Sequence, residues 1–349
     1  MARKVGIGII GTGWWATENH IPVLQQFADV ELAGVCGLGR EALRETQDRF
    51  RIPFATEDYR ELLVLQGLDG VVVSSPHHLH YEHAVAGLEQ MLHVFCEKPM
   101  ALSADHAREM AAVAERQSRH FVLAYGWNYT DLAAEAKRRV AAGEIGQIEH
   151  VQVHMASALR DLFSGAGAWF AENAFLQPQL ETWSDPARGG GFSHGQFTHA
   201  LGLLFWITEL QPAEVFGFAA CSRTGADLTQ AIGCRFANGA TGMMGGAATM
   251  PPGSPYQLDI RLFGTEGMLL LDIERPRLEI RRNDGRNWSM QTTHLPGAYA
   301  CVEPLRTFVD LIQGKEVENR SPARVGVRAV EVLDAAFRSA RSLKIEAIC

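Results

Sequence analysis

The sequence predicts an α/β chain with an N-terminal doubly wound parallel sheet, followed by an α+β domain built on a large, mostly antiparallel open sheet. Three observations predict it. Up to Gly126, short continuous apolar runs alternate repeatedly with helix-compatible stretches. Beyond it, apolar residues alternate one by one with polar ones. The 349 residues suit two domains at about 100–200 residues each, with boundaries expected at 1–126 and 127–349.

The apolar runs of the first part are Val5–Ile10, Val30–Cys36, Gly70–Ser74, Leu92–Phe95 and Phe121–Tyr125. Strands buried on both faces read as such unbroken Val/Ile/Leu runs, and crossover helices between them make the sheet parallel. The helices are expected at Trp15–Phe27, Glu41–Arg49, Tyr59–Gln66, His80–Gln90 and Ala104–Arg116. A further helix, Leu132–Ala142, stops at Gly143, a usual terminating residue. Val151, Val153 and Met155 then alternate with Gln152 and His154, the period of a sheet with one wet face. An irregular stretch from Ser157 to Gly191 and a helix over His194–Ile207 follow. Six alternating strands come next, at Glu214–Ala220, Thr229–Phe236, Thr241–Ala248, Leu258–Phe263, Gly267–Ile273 and Arg277–Arg282. A last helix opens at Ser321-Pro322 and carries Val330, Leu333 and Phe337 on its inward stripe.

Charge and composition exclude several classes. With 40 acidic against 32 basic residues the formal charge is −8, which leaves no basic footprint for nucleic acid. No apolar run approaches the ~20 residues that span a bilayer, so no membrane is expected. The opening Met-Ala-Arg-Lys is followed by only a short apolar run that enters Gly11-Thr12-Gly13, so it reads as a first strand rather than a leader. None of the six cysteines forms a C-x-x-C pair, which points to reduced thiols in a cytoplasmic protein.

Gly11-Thr12-Gly13-Trp14-Trp15-Ala16 is a G-x-G-x-x-A element between a strand and a helix. The first glycine permits a tight turn, the second lets backbone approach a pyrophosphate, and the small third residue lets helix pack on strand. In a Rossmann sheet this turn binds a dinucleotide at the helix N-terminus. An acid is expected at the end of the second strand to hold the ribose hydroxyls, but Gly37 stands there and Arg40 follows. Losing the acid and gaining a guanidinium leans the cofactor toward NADP, with NAD as the alternative. Ser75-Pro76-His77-His78-Leu79-His80 follows the Gly70–Ser74 run. Without a partner cluster at ligand spacing it reads as a cofactor-side loop, with Ser75, Pro76, His77 and His80 near the dinucleotide and no metal. Glu97-Lys98-Pro99 closes the next strand, and a lysine buried there beside a cationic ring is a candidate proton-transfer group.

Together with Gly189-Gly190-Gly191 and His199, these motifs resemble the glucose–fructose oxidoreductase, inositol dehydrogenase and rhizopine catabolism (Gfo/Idh/MocA) family of NAD(P)-dependent sugar oxidoreductases. The resemblance extends to Glu266-Gly267, Pro304–Phe308 and Ala335–Arg341. It implies hydride transfer between the nicotinamide and a secondary alcohol or ketone of a sugar, cyclitol or related polyol. It implies Lys98 and His199 as catalytic residues and a homodimer or homotetramer. Many members carry an Asp one helical turn before the histidine, where this chain has Gly195. His194, Gln196 or Asp185 are the candidates to replace it, and His194 is a further candidate catalyst. The basic residue often found after Asn-Tyr is missing at Asn128-Tyr129-Thr130, so Asn128 contacts substrate in different company. Trp14 and Trp15 stand beside the cofactor, Gly37, Arg40 and Glu97 complete its contacts, and Trp183 and Phe170 are expected to line the substrate pocket. A glycosidase working through transient oxidation and a nucleotide sensor without chemistry are the alternatives.

Overall fold

The computed structural model describes residues 3–292, 299 and 301–348. By those residues the chain divides into two compact units. The first comprises Met1–Gly126, Ala168–Thr182 and Gly297–Val327, and the second Trp127–Gly167, Trp183–Pro296 and Arg328–Cys349. The chain therefore changes unit after Gly126, and two later segments return to the first unit.

Strands β1 (Val5–Ile10), β2 (Val30–Cys36), β3 (Ala55–Thr56), β4 (Gly70–Val73), β5 (His93–Cys96) and β6 (Phe121–Leu123) form a sheet in the order β3-β2-β1-β4-β5-β6. Every pairing in it is parallel. Ile7, Ile9, Val71, Val72 and Val94 have no exposed surface, which is why these strands read as unbroken apolar runs. The strand order reverses at β1, between β2 and β4, which puts the binding crevice of an open α/β sheet at their carboxyl ends. Helices α1 (Ile21–Gln26), α2 (Arg40–Phe50), α3 (Tyr59–Leu63), α4 (His80–Glu89) and α5 (Ala104–Arg116) connect the strands. Asp58 and Ser103 cap α3 and α5 by accepting from the amides of Arg60 and His106.

The expected single helix from Trp15 is instead a π-helical turn, Ala16–His20, leading into α1. The two-residue β3 is too short for periodicity to reveal.

The second unit opens with α6 (Asp131–Ala141), capped by the Thr130 hydroxyl, and β7 (Ile148–Ala156). The stretch read as irregular contains α7 (Arg160–Ser164) and α8 (Leu180–Ser184). Helix α9 (Thr198–Thr208) is apolar around most of its circumference and buried along nearly its whole length. Strands β8 (Pro212–Cys221), β9 (Asp227–Phe236), β10 (Thr241–Ala247), β11 (Gln257–Gly264), β12 (Gly267–Asp272), β13 (Arg277–Arg282) and β14 (Trp288–Gln291) follow. After α10 (Val302–Ile312) and α11 (Ala323–Ser342), β15 (Glu346–Ala347) completes a sheet ordered β14-β13-β12-β11-β7-β10-β9-β8-β15. Within this sheet only β7 and β10 pair in parallel among the described residues.

Helix α10 belongs to the first unit. Its Leu305, Phe308 and Val309 join the core that contains Ile7, Ile9 and Val35. Arg306 fixes it by a fork of two 2.9 Å bonds to Asp29, whose carboxyl is thereby held down to about 2.

Candidate active site

In the first unit the site is built at the carboxyl ends of β1, β4 and β5. Gly11 has φ +98°, and a Cβ there would lie 2.4 Å from the backbone of Ser74 and Ser75, so only glycine makes this turn. Gly13 is exposed, and a Cβ there would meet no atom within 4 Å. Backbone is thus bare at the start of the following turn, and this open cradle fits a dinucleotide pyrophosphate. Ala16 is fully buried, which lets the helical turn lie on the sheet.

Glu97 and Lys98 leave β5 side by side and both are buried. One Glu97 oxygen accepts from the Trp15 indole at 2.7 Å and from His20 Nε2 at 2.8 Å, and the other from the Lys98 amide at 3.1 Å. Burial works to raise the Glu97 carboxyl, but the His20 bond and charge and the Lys98 charge outweigh it and keep it ionised. Burial pushes the Lys98 ammonium below its ordinary range, against the opposing influence of Glu97 and Cys301. A lysine so placed gives up its proton more readily than one in water, as a proton-transfer group must. The Lys98–Pro99 peptide is cis.

His80 is fully buried, with Nδ1 at 2.7 Å from the Pro99 carbonyl and Nε2 at 2.8 Å from the Ser75 carbonyl. Its ring therefore clamps the loop after β4 to the turn after Lys98 and faces protein rather than a cofactor. Ser75 offers its hydroxyl to His83 at 2.9 Å, and His77 lies edge-on to His80 at 5.7 Å. Trp14 packs on Phe170 at 5.4 Å and on Trp15 at 5.3 Å, while Tyr299 meets Trp15 at 5.4 Å. Phe170 thus belongs with the dinucleotide turn, whereas Trp183, its expected companion, belongs to the second unit. Arg40, expected to offer its guanidinium to a phosphate, lies 3.4 Å from Glu57.

In the second unit the three consecutive glycines earn distinct explanations. Gly189 ends a short turn at φ +81°, and a Cβ on Gly190 would lie 2.6 Å from the Trp183 carbonyl. Gly191 has φ +118° and would drive a Cβ to 2.1 Å from Asp227 Oδ1. Asp227 Oδ2 accepts from the Ser193 amide at 2.9 Å and its hydroxyl at 2.7 Å, fastening the π-helical turn Ser193–Phe197 that feeds α9. Burial raises the Asp227 carboxyl to about 6. His199, in the first turn of α9, is buried with its ring edge-on to Trp127 at 5.0 Å.

His194 is buried 5.0 Å from the Phe337 ring, without hydrogen-bond partners among the described residues, and burial lowers it to about 4. It is neutral at physiological pH. The space an Asp at 195 would need holds the Phe163 ring, 2.6 Å from the position of a Cβ. Asp185 caps its own turn through the Ala187 amide at 2.9 Å, and Asn128 reaches the Gly202 carbonyl at 3.4 Å. Gln196 is buried within the π-helical turn. Sequence reasoning missed His20, Glu57, Phe163 and Asp227, because each acts through a partner distant in the chain.

The match to known proteins decides the family. Residues 5–125 match the model of the oxidoreductase family with an NAD-binding Rossmann fold, and residues 133–270 match the GFO/IDH/MocA C-terminal domain. The chain belongs to the Gfo/Idh/MocA oxidoreductase family. Among curated relatives it is 29% identical over 182 residues to the glucose-6-phosphate 3-dehydrogenase of Bacillus subtilis, covering 52% of this chain and 46% of that protein. To the D-glucoside 3-dehydrogenase of Escherichia coli it is 28% identical over 261 residues, covering 74% of this chain and 65% of that one. The chain thus spans about half and just under two thirds of these relatives' lengths. Among solved structures, an oxidoreductase domain protein from Kribbella flavida superimposes with TM-score 0.80 at 22% identity, covering all of both chains. A levoglucosan dehydrogenase in complex with NADH and levoglucosan gives 0.78 at 20%, covering 99% of this chain and 100% of that one. At such identities these structures speak for the Gfo/Idh/MocA fold alone.

Proposed function

We propose that this protein is a nicotinamide-dependent dehydrogenase that oxidises a secondary alcohol of a sugar, cyclitol or related polyol, or reduces the matching ketone. The observation that carries this reading is the buried Lys98, its ammonium pKa lowered by burial, next to a Glu97 that is hydrogen-bonded to the Trp15 of the dinucleotide turn. The sugar dehydrogenases named among the relatives support the substrate class.

A bound nicotinamide would supply the hydride acceptor or donor. Gly11, Gly13 and the amides that follow would hold its pyrophosphate, with Ser75, Pro76 and His77 beside it. In oxidation, neutral Lys98 removes the hydroxyl proton, and in reduction the ammonium returns it. His199 is assigned the companion proton-transfer role, and Asn128, Trp183 and Gln196 the substrate side. His194, neutral and set against Phe337, is assigned packing rather than proton transfer. We place the protein in the cytoplasm, with reduced thiols, and as a homo-oligomer. Phe218 and Met243 stand 59% and 62% exposed on the open sheet of the second unit, where a second copy would cover them. Among the described residues no helix is long and apolar enough to cross a membrane.

Lys98→Met tests the reading. Turnover is expected to fall by about 10²–10⁴-fold while the Kd for the reduced dinucleotide stays within about twofold. Wild-type turnover in that variant would overturn the assignment.

A further inference from the structure

The carboxyl ends of β2 and β3 lie side by side, with Val35 opposite Ala55 and Cys36 opposite Thr56. In a Rossmann sheet the adenosine ribose is held at the end of β2. An acid at position 37 would be crowded here, because a Cβ on Gly37 would lie 1.9 Å from Thr12 Oγ1 and Thr12 would have to give way. A carboxylate nevertheless reaches this place from the neighbouring strand. Glu57, one residue past β3, accepts from the Gly39 amide at 3.0 Å, and its other oxygen lies 3.4 Å from Arg40 Nε. The backbone amide and the guanidinium that could have held a phosphate are both occupied by a carboxylate.

The surroundings have the same sign. Asp58 and Glu61 follow Glu57 closely, and the Cys36 thiol at the end of β2 is pushed up to about 11 by burial and then by the charges of Asp58, Glu57 and Glu61. The local cations are committed: Arg60 pairs with Asp58 at 3.4 Å and Glu82 at 3.7 Å. Arriving here, a 2′-phosphate would have to displace Glu57 against like charge, whereas a ribose 2′-hydroxyl can donate to it.

We propose that Glu57 is the specificity-determining residue of the dinucleotide site and selects NAD over NADP, reversing what Gly37 and Arg40 imply when read along the chain. The inference rests on the dinucleotide reading above, and equilibrium binding separates the two. Fluorescence titration of the full-length wild type is expected to give a Kd for NADH at least about tenfold below that for NADPH. Glu57→Gln keeps an oxygen for the Gly39 amide but removes the charge, and is expected to shift the NADPH-to-NADH affinity ratio toward NADPH by about tenfold. Adding Arg40→Ala to Glu57→Gln is expected to cancel that gain, because the freed guanidinium carries it. A wild type that prefers NADPH, or a ratio unmoved by Glu57→Gln, overturns the inference and leaves the dinucleotide reading standing. Binding of neither dinucleotide overturns both.

Discussion

Replacing Glu97 by Gln probes the polar junction behind Lys98. The carboxylate accepts from Trp15 at 2.7 Å, His20 at 2.8 Å and the Lys98 amide at 3.1 Å, with His20, Glu97 and Lys98 buried and Trp15 half-buried. An amide of the same shape keeps one acceptor oxygen, so its nitrogen must confront at least one of these donors. A buried donor left unpaired costs about 1–3 kcal/mol, and the remaining bonds lose their charge assistance, for a total of about 2–4 kcal/mol. The variant should unfold at lower denaturant concentration by that amount. A second consequence separates chemistry from scaffolding. The Glu97 charge raises the Lys98 ammonium against burial, and an adjacent opposite charge typically moves a pKa by about 1–3 units. Without it Lys98 deprotonates at lower pH. If neutral Lys98 is the base in sugar oxidation, the acidic limb of kcat/KM against pH should move to lower pH. A limb that stays in place, or moves up, would refute the link between this carboxylate and the reacting lysine.

Three further outcomes are expected. The Asp227 carboxyl is raised from 3.8 to about 6, so the native state binds the proton more tightly and stability is lost as pH rises through that window. Denaturant titrations should therefore show wild type losing about 2 kcal/mol relative to Asp227→Asn between pH 4 and 6, and a flat difference would contradict this. Gly195→Asp should destabilise by about 2–4 kcal/mol through collision with Phe163, and Phe163→Ala should relieve much of that cost, a coupling read by a double-mutant cycle. Light scattering should report a dimer or tetramer, with Met243→Asp shifting it toward monomer; a monomeric wild type would count against the sheet face as a subunit contact.

The parallel sheet was legible because burial on both faces writes itself as unbroken apolar runs, and the glycine turn because its place between strand and helix is local. The alternating strands beyond Gly126 were legible because burial on one face only writes itself as a period of two. The division of the chain was less so: α10 packs its Leu305 and Phe308 into the core of the first unit, and no local pattern tells which core a stripe will join. At the site, Gly11, Glu97 and Lys98 could be singled out from spacing and resemblance. Their fastening could not, since Trp15 meets Glu97 across 82 residues and Ser193 meets Asp227 across 34. Arg40 shows the cost of reading neighbours in sequence only, because the carboxylate that meets its charge arrives from another strand.

The most direct test follows the hydride itself. The protein would be incubated with NAD and a panel of sugars and cyclitols deuterated at their ring carbinol carbons, including a glucoside, levoglucosan and an inositol, and the recovered dinucleotide weighed by mass spectrometry. Deuterium on the reduced nicotinamide from at least one of them, and none with Lys98→Met, is the predicted result. Dinucleotide that binds but never gains the label from any secondary alcohol would contradict it.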